Sequence, residues 1–147
     1  MKSALVAIAV SLAGCEYSSD GSRPVRLPDD ALVAVFQYQM RNALPRFSVT
    51  TCVEQEGTDP PIAVLEALVV REPQMSLTSA SHCSTQGQKS HSIITFRITG
   101  GRALNDDELE VNGSTEANWV DGRRQENQYH LRKREGVWSV VGVYPAR

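Results

Sequence analysis

Three basic side chains, His130, Arg132 and Arg134, stand at every second position of one stretch. Alternate residues of a β-strand project from the same face, so these three would form a row able to hold an anion or a polar ligand. The same row equally describes a solvated sheet face crossed by charge pairs, each contributing roughly 0.2–1 kcal/mol. Other groupings are thinner. His82, Cys83 and His91 carry metal-ligating atoms, but their spacing fits no closed zinc pattern. Asn105-Asp106-Asp107-Glu108, with Glu110, offers oxygens without the alternating acidic residues and glycine of a calcium loop. It reads as a solvated hairpin end. Arg123-Arg124 and Arg132-Lys133-Arg134 are basic, but the chain carries a net charge of −2, which points away from nucleic acid. No Ser/His/Asp, Cys/His or spaced carboxylate set assembles from these residues. The sequence therefore predicts no catalytic residues, no metal and no cofactor.

The elements that must position these side chains follow from periodicity. Asp29 or Asp30 is expected to cap a helix, in which Leu32, Val35, Phe36, Met40, Ala43 and Leu44 recur at helical spacing. Gln39 alone breaks that stripe, and Pro45 ends the helix. Phe47 to Glu54 reads as an extended segment carrying Cys52. A second helix starts at Thr58-Asp59-Pro60-Pro61, with Thr58 or Asp59 as its expected cap and then prolines where a missing amide donor costs nothing. Its apolar face is Ile62, Leu65, Leu68 and Val69, and it ends near Arg71. Gln74 to His82 is again extended and brings Cys83 back towards Cys52.

From Ser92 the period changes to two, with turn signals between the runs. Ile93–Thr99, Glu108–Val120, Gln125–Arg134 and Val137–Val143 form an expected antiparallel meander of four strands, the first stopped by Gly100-Gly101. A three-residue loop at Asp121-Gly122-Arg123 sets Val111 near Tyr129–Leu131 and Glu110 opposite Arg134. A tight turn at Glu135-Gly136 sets Leu131 against Val140 and Lys133 against Trp138. Core pairing fixes such registers, because a slip of one residue turns every side chain to the other face.

Ahead of all this lies Lys2, then a run from Ala4 to Ala13 broken only by Ser11. The run is short of the roughly 20 apolar residues that span a bilayer and has the form of an export signal. Its end, Leu12-Ala13-Gly14-Cys15, resembles the lipobox of bacterial lipoprotein precursors. That resemblance implies that residues 1–14 are a signal peptide and that the thiol of Cys15 receives a diacylglyceryl group. An ordinary signal peptide cut nearby is the alternative. Two acyl chains are enough for stable anchoring. Glu16 stands where an Asp commonly retains such proteins in the inner membrane, so the outer membrane, facing the periplasm, is the expected site. Residues 15–28, polar and containing Ser, Gly and Pro, read as a tether. Residues 29–147 form one domain, long enough for its own core. With Cys15 lipidated, Cys52 and Cys83 remain in an oxidising compartment and are expected to form a disulfide; two free buried thiols are the alternative.

Two helices followed by an antiparallel meander, ending in Tyr129-x-Leu131…Gly136-x-Trp138-x-Val140, resemble the NTF2-like and cystatin-like α+β folds. The pattern Cys52…Asp59-Pro60…Ser81-His82-Cys83 with that ending is similar to a group of uncharacterised exported bacterial proteins. The resemblance implies two N-terminal helices packed on a curved antiparallel sheet of about four strands, and it brings no activity with it. Location and size lead to the expectation of a lipid-anchored extracytoplasmic binding or interaction module of the cell envelope. One form would be an inhibitor or immunity-type lipoprotein. Its expected partners are the membrane, through the anchor, and an envelope protein. The alternative is a small-molecule binder or enzyme with a pocket lined by His130, Arg132 and Arg134.

Overall fold

A computed structural model describes residues 24–43, 49–85, 92–119 and 124–146. The expected signal peptide, Cys15, Pro45, His91 and the Asp121-Gly122-Arg123 loop lie outside these residues. Of the expected tether, residues 24–28 are described, and they lie against the domain. Pro24 bridges Arg102, and Leu27 is buried.

Pro28, whose φ of −61° is already helical, precedes α1 (Asp29–Asn42). Asp29 and Asp30 do not cap this helix but occupy its first turn, where their charge opposes the helix dipole. Of the expected stripe, Leu32, Val35, Phe36 and Met40 have almost no exposed surface, with Gln39 buried among them, while Ala43 is half-buried just past the helix and Leu44 lies outside the described residues. There follow β1 (Thr50–Gln55), α2 (Ile62–Arg71), β2 (Ser76–Ser79) and the short α3 (Ala80–Thr85). Four longer strands complete the chain: β3 (Ile93–Asn105), β4 (Glu108–Ala117), β5 (Gln125–Arg134) and β6 (Val137–Pro145).

The fold expected from the sequence is corrected here. The described residues form one six-stranded mixed sheet of order β2-β1-β3-β4-β5-β6 with three helices, not two helices on four antiparallel strands. The meander β3 to β6 does pair antiparallel, but β1 pairs parallel to both β2 and β3. Parallel neighbours need a crossover, and α2 supplies it between β1 and β2. The physical mark of β1 as an inner strand is burial on both faces: Thr51, Cys52 and Val53 are each at most 1% exposed. Alternation puts Thr51 and Val53 on the core face and Cys52 on the other.

Two further expectations are corrected. Gly100-Gly101 does not stop β3. The strand continues to Asn105 through register shifts at Ile98/Gly100 and Ala103/Asn105, so Thr99 and Leu104 are the extra residues of bulges. Gln74–His82 is not one extended piece, since Ala80–Thr85 is helical. The disulfide is present: Cys52 of β1 is bonded to Cys83 of α3. Asp59 holds α3 in place, accepting hydrogen bonds from the Ser81 amide (2.9 Å) and hydroxyl (2.5 Å). These two bonds also keep the Asp59 carboxyl below its ordinary pKa. No described helix is long and apolar enough to cross a membrane.

The core lies between the sheet and the pair α1 and α2. Phe36, Met40, Val64 and Leu68 meet Val53, Phe96, Ile98, Val111, Tyr129 and Leu131 there. Among the described residues, the opposite face of β3 to β6 is the open one, since α3 is packed on β1 and β2.

Candidate functional site

Alternation along β5 settles the placement of the basic row. Tyr129 and Leu131 are buried in the core, so His130, Arg132 and Arg134 belong to the open face. None of the three lines either of the two hollows described below. Arg132 is held by Glu108, whose Oε1 accepts from Nε at 2.9 Å and lies 2.8 Å from Nη2. Hydrogen bonds from Arg132 and Asn105 hold the Glu108 carboxyl below its ordinary pKa. His130 Nε2 lies 3.9 Å from Glu108 Oε2 and is buried without a hydrogen-bond partner among the described residues. Arg134 stands exposed at the end of the strand. Val111 faces Tyr129 directly, and Glu110 faces His130 rather than Arg134. Leu131 faces Val140, and Lys133 faces Trp138. Beyond that pair the register shifts, leaving Val141 as the extra residue of a bulge and setting Gly142 opposite His130.

The rest of the open face is a ladder of cross-strand charge pairs. Arg97 of β3 reaches Glu116 of β4 at 2.6 Å and Glu54 of β1 at 3.4 Å. Arg102 Nε donates to Glu110 Oε1 at 2.7 Å, and Gln128 Nε2 donates to the same oxygen at 2.8 Å. Arg124 Nε donates to Ser114 Oγ at 2.9 Å and lies 3.4 Å from Glu126. Two hollows open on this face. One, of about 390 Å³, is lined by residues including Thr99, Asn112, Ser114, Arg124 and Gln128. The other, of about 430 Å³, is lined by Pro24, Gly100, Gly101, Arg102, Glu110, Asn112 and Gln128. Asn112 and Gln128 border both, so the hollows adjoin.

The remaining candidates are placed elsewhere. Cys83 is in the disulfide, and His82 Nδ1 lies 2.9 Å from Ser79 Oγ at the start of α3. The acidic stretch is the β3–β4 turn. There Asn105 Nδ2 donates to Glu108 Oε2 at 3.1 Å, and the Asp107 amide donates to Asn105 Oδ1 at 2.9 Å. Among the described residues no three His, Cys, Asp or Glu side chains come together as a metal-binding group.

The sequence places Asn112 beside the basic row but not Gly100, Gln128 and Tyr144, which the sheet brings into one line with it. The Gly-Gly pair was the available signal, read as a stop when it marks a depression in a continuous strand. In comparisons with protein-family models, curated proteins and solved structures, nothing matches this chain.

Proposed function

We propose that the chain is a lipid-anchored binding module of the cell envelope, held through Cys15 and working outside the cytoplasm. It presents the open face of β3 to β6 to an envelope component. The observation that carries this reading is the face itself: a ladder of polar and charged side chains across four strands, with two adjoining hollows, on the side away from α1 and α2. Two features support the compartment. The Cys52–Cys83 bond is of a kind that persists in oxidising surroundings, and Leu12-Ala13-Gly14-Cys15 has the lipobox pattern. Outer-membrane attachment facing the periplasm follows from Glu16 after the cysteine, and an inhibitor or immunity-type lipoprotein is one form such a module takes.

Cells given labelled palmitate should label the wild-type chain and leave Cys15→Ser unlabelled; an unlabelled wild type sinks the anchor. A photocrosslinking residue at Asn112, exposed on the open face, should then trap an envelope component in living cells. One at Ala63, on the outer side of α2, should not. Equal trapping from both positions, or none from Asn112, overturns the binding face.

A further inference from the structure

We propose that the open face carries a track for a neutral oligosaccharide of about three sugar units, running across the strands rather than along them; this rests on the envelope-binding reading above. The sheet register builds the track. Tyr144 of β6, Gln128 of β5, Asn112 of β4 and Gly100 of β3 are successive cross-strand partners. Beside them runs a second line: Gly142, His130, Glu110 and Arg102. Three interstrand spacings of about 4.8 Å make a track of about 14 Å, the length of a trisaccharide.

Each end has a feature suited to a sugar ring. At one end the Tyr144 ring lies on Gly142: a Cβ at Gly142 would sit 3.0–3.3 Å from the ring's Oη, Cζ and Cε2 atoms. Glycine is what lets the ring lie down on the strand, and Tyr144 remains 55% exposed. An exposed ring with an apolar face and a polar tip stacks on the C–H face of a pyranose. At the other end Gly100, having no side chain, leaves the hollow of about 430 Å³ bounded by Pro24, Arg102, Glu110, Asn112 and Gln128.

Between the ends, the polar groups are planar and already held. Glu110 Oε1 accepts from both Arg102 and Gln128, and Gln128 Nε2 also reaches Asn112 Oδ1 at 3.4 Å. Beside these bonded atoms stand Glu110 Oε2, Gln128 Oε1 and Asn112 Nδ2. They are two acceptors and a donor, and a sugar hydroxyl serves both kinds. The guanidinium of Arg102 and the carboxylate of Glu110 are paired, which favours an uncharged ligand over an ion. The floor of the track is polar, which suits the hydroxyls of a sugar.

The test uses the full-length protein purified from the envelope in a detergent without a sugar headgroup. Saturation-transfer NMR with chitotriose or maltotriose as probe should show transfer to ring C–H protons from at least one. Tyr144→Ala should weaken that binding about threefold to tenfold, the scale of one aromatic contact, and Gln128→Ala should weaken it as well. Glu66→Ala, on the outer side of α2, should bind as wild type does. Thermal melts of each variant by circular dichroism verify that the fold is kept. No transfer from either sugar overturns the track, as does equal binding by wild type and Tyr144→Ala. If the crosslinker at Asn112 still traps an envelope protein when neither sugar binds, the saccharide inference falls and the binding face stands.

Discussion

Leu131 and Arg132 are neighbours in β5, one facing the core and the other the open face. Val111, Tyr129, Leu131 and Trp138 all sort to one face by simple alternation, and all are buried. Leu131 has no exposed surface, so Leu131→Ala should cost about 2–5 kcal/mol. Arg132, with 42% of its side chain exposed beside Glu108, takes part in a surface pair; Arg132→Ala should cost about 0–1 kcal/mol. Denaturant melts of the two variants decide the assignment, and a larger loss for Arg132→Ala would mean that the strand is turned over. Gln39 was visible as the one break in an apolar stripe, but its role was not. Its Nε2 donates to the carbonyls of Arg97 (3.3 Å) and Ser114 (3.4 Å) and to Tyr129 Oη (3.2 Å). Gly113 makes room for it, since a Cβ there would come within 3.0 Å of that nitrogen. The contact spans elements far apart in sequence, which no local pattern encodes.

At the scale of elements, the sequence spoke clearly where one face was wet and poorly where neither or both were. The meander was found because its strands alternate. β1 was seen as an extended segment but not as an inner strand, because burial on both faces erases the alternation. β2 is only four residues long and carries no pattern of its own. α2 shows the same weakness. Its sequence, Ile62-Ala63-Val64-Leu65-Glu66-Ala67-Leu68-Val69-Val70-Arg71, is apolar nearly all round, so the face expected from spacing, Ile62, Leu65, Leu68 and Val69, is corrected at Ile62 and Val69. The structure buries Val64 and Leu68 and leaves Ile62 74%, Val69 53% and Val70 78% exposed. Leu68→Ala should therefore cost about 2–5 kcal/mol, and Ile62→Ala should stay within about 0.5 kcal/mol. Melting both variants separates this arrangement from a helix resting on the Ile62 side, for which the two losses would be comparable.

At the scale of the whole molecule, the helix layer must be fixed to itself as well as to the sheet, and Glu72 does this where α2 ends. It is buried at 4% exposure. Its Oε1 accepts from Gln37 Nε2 and from Arg41 Nε, each at 2.9 Å, while Oε2 accepts from Gln74 Nε2 at 2.9 Å. Gln37 and Arg41 belong to α1, so one carboxylate joins both helices. Burial alone would raise its pKa, but the hydrogen bonds from Gln37, Gln74 and Arg41, with the Arg41 charge, outweigh it and hold the carboxyl below its ordinary value of 4.5. A carboxyl with a depressed folded-state pKa binds fewer protons in the native than in the unfolded chain. Its stabilisation is complete above the unfolded value and is lost as pH falls through the folded one. Glu72→Gln keeps the size of the side chain, removes the charge and leaves an amide facing other donors. At neutral pH it should cost about 1.5–3 kcal/mol, the range for hydrogen bonds to a charged group. The difference from wild type should shrink as the pH is lowered from the unfolded value of 4.5 down through the lower folded one, below which wild-type Glu72 has lost its charge as well. Denaturant melts of both proteins at several pH values down to strong acid measure it, and a difference that stays constant with pH would show that the carboxylate's charge is not what joins α1 to the end of α2.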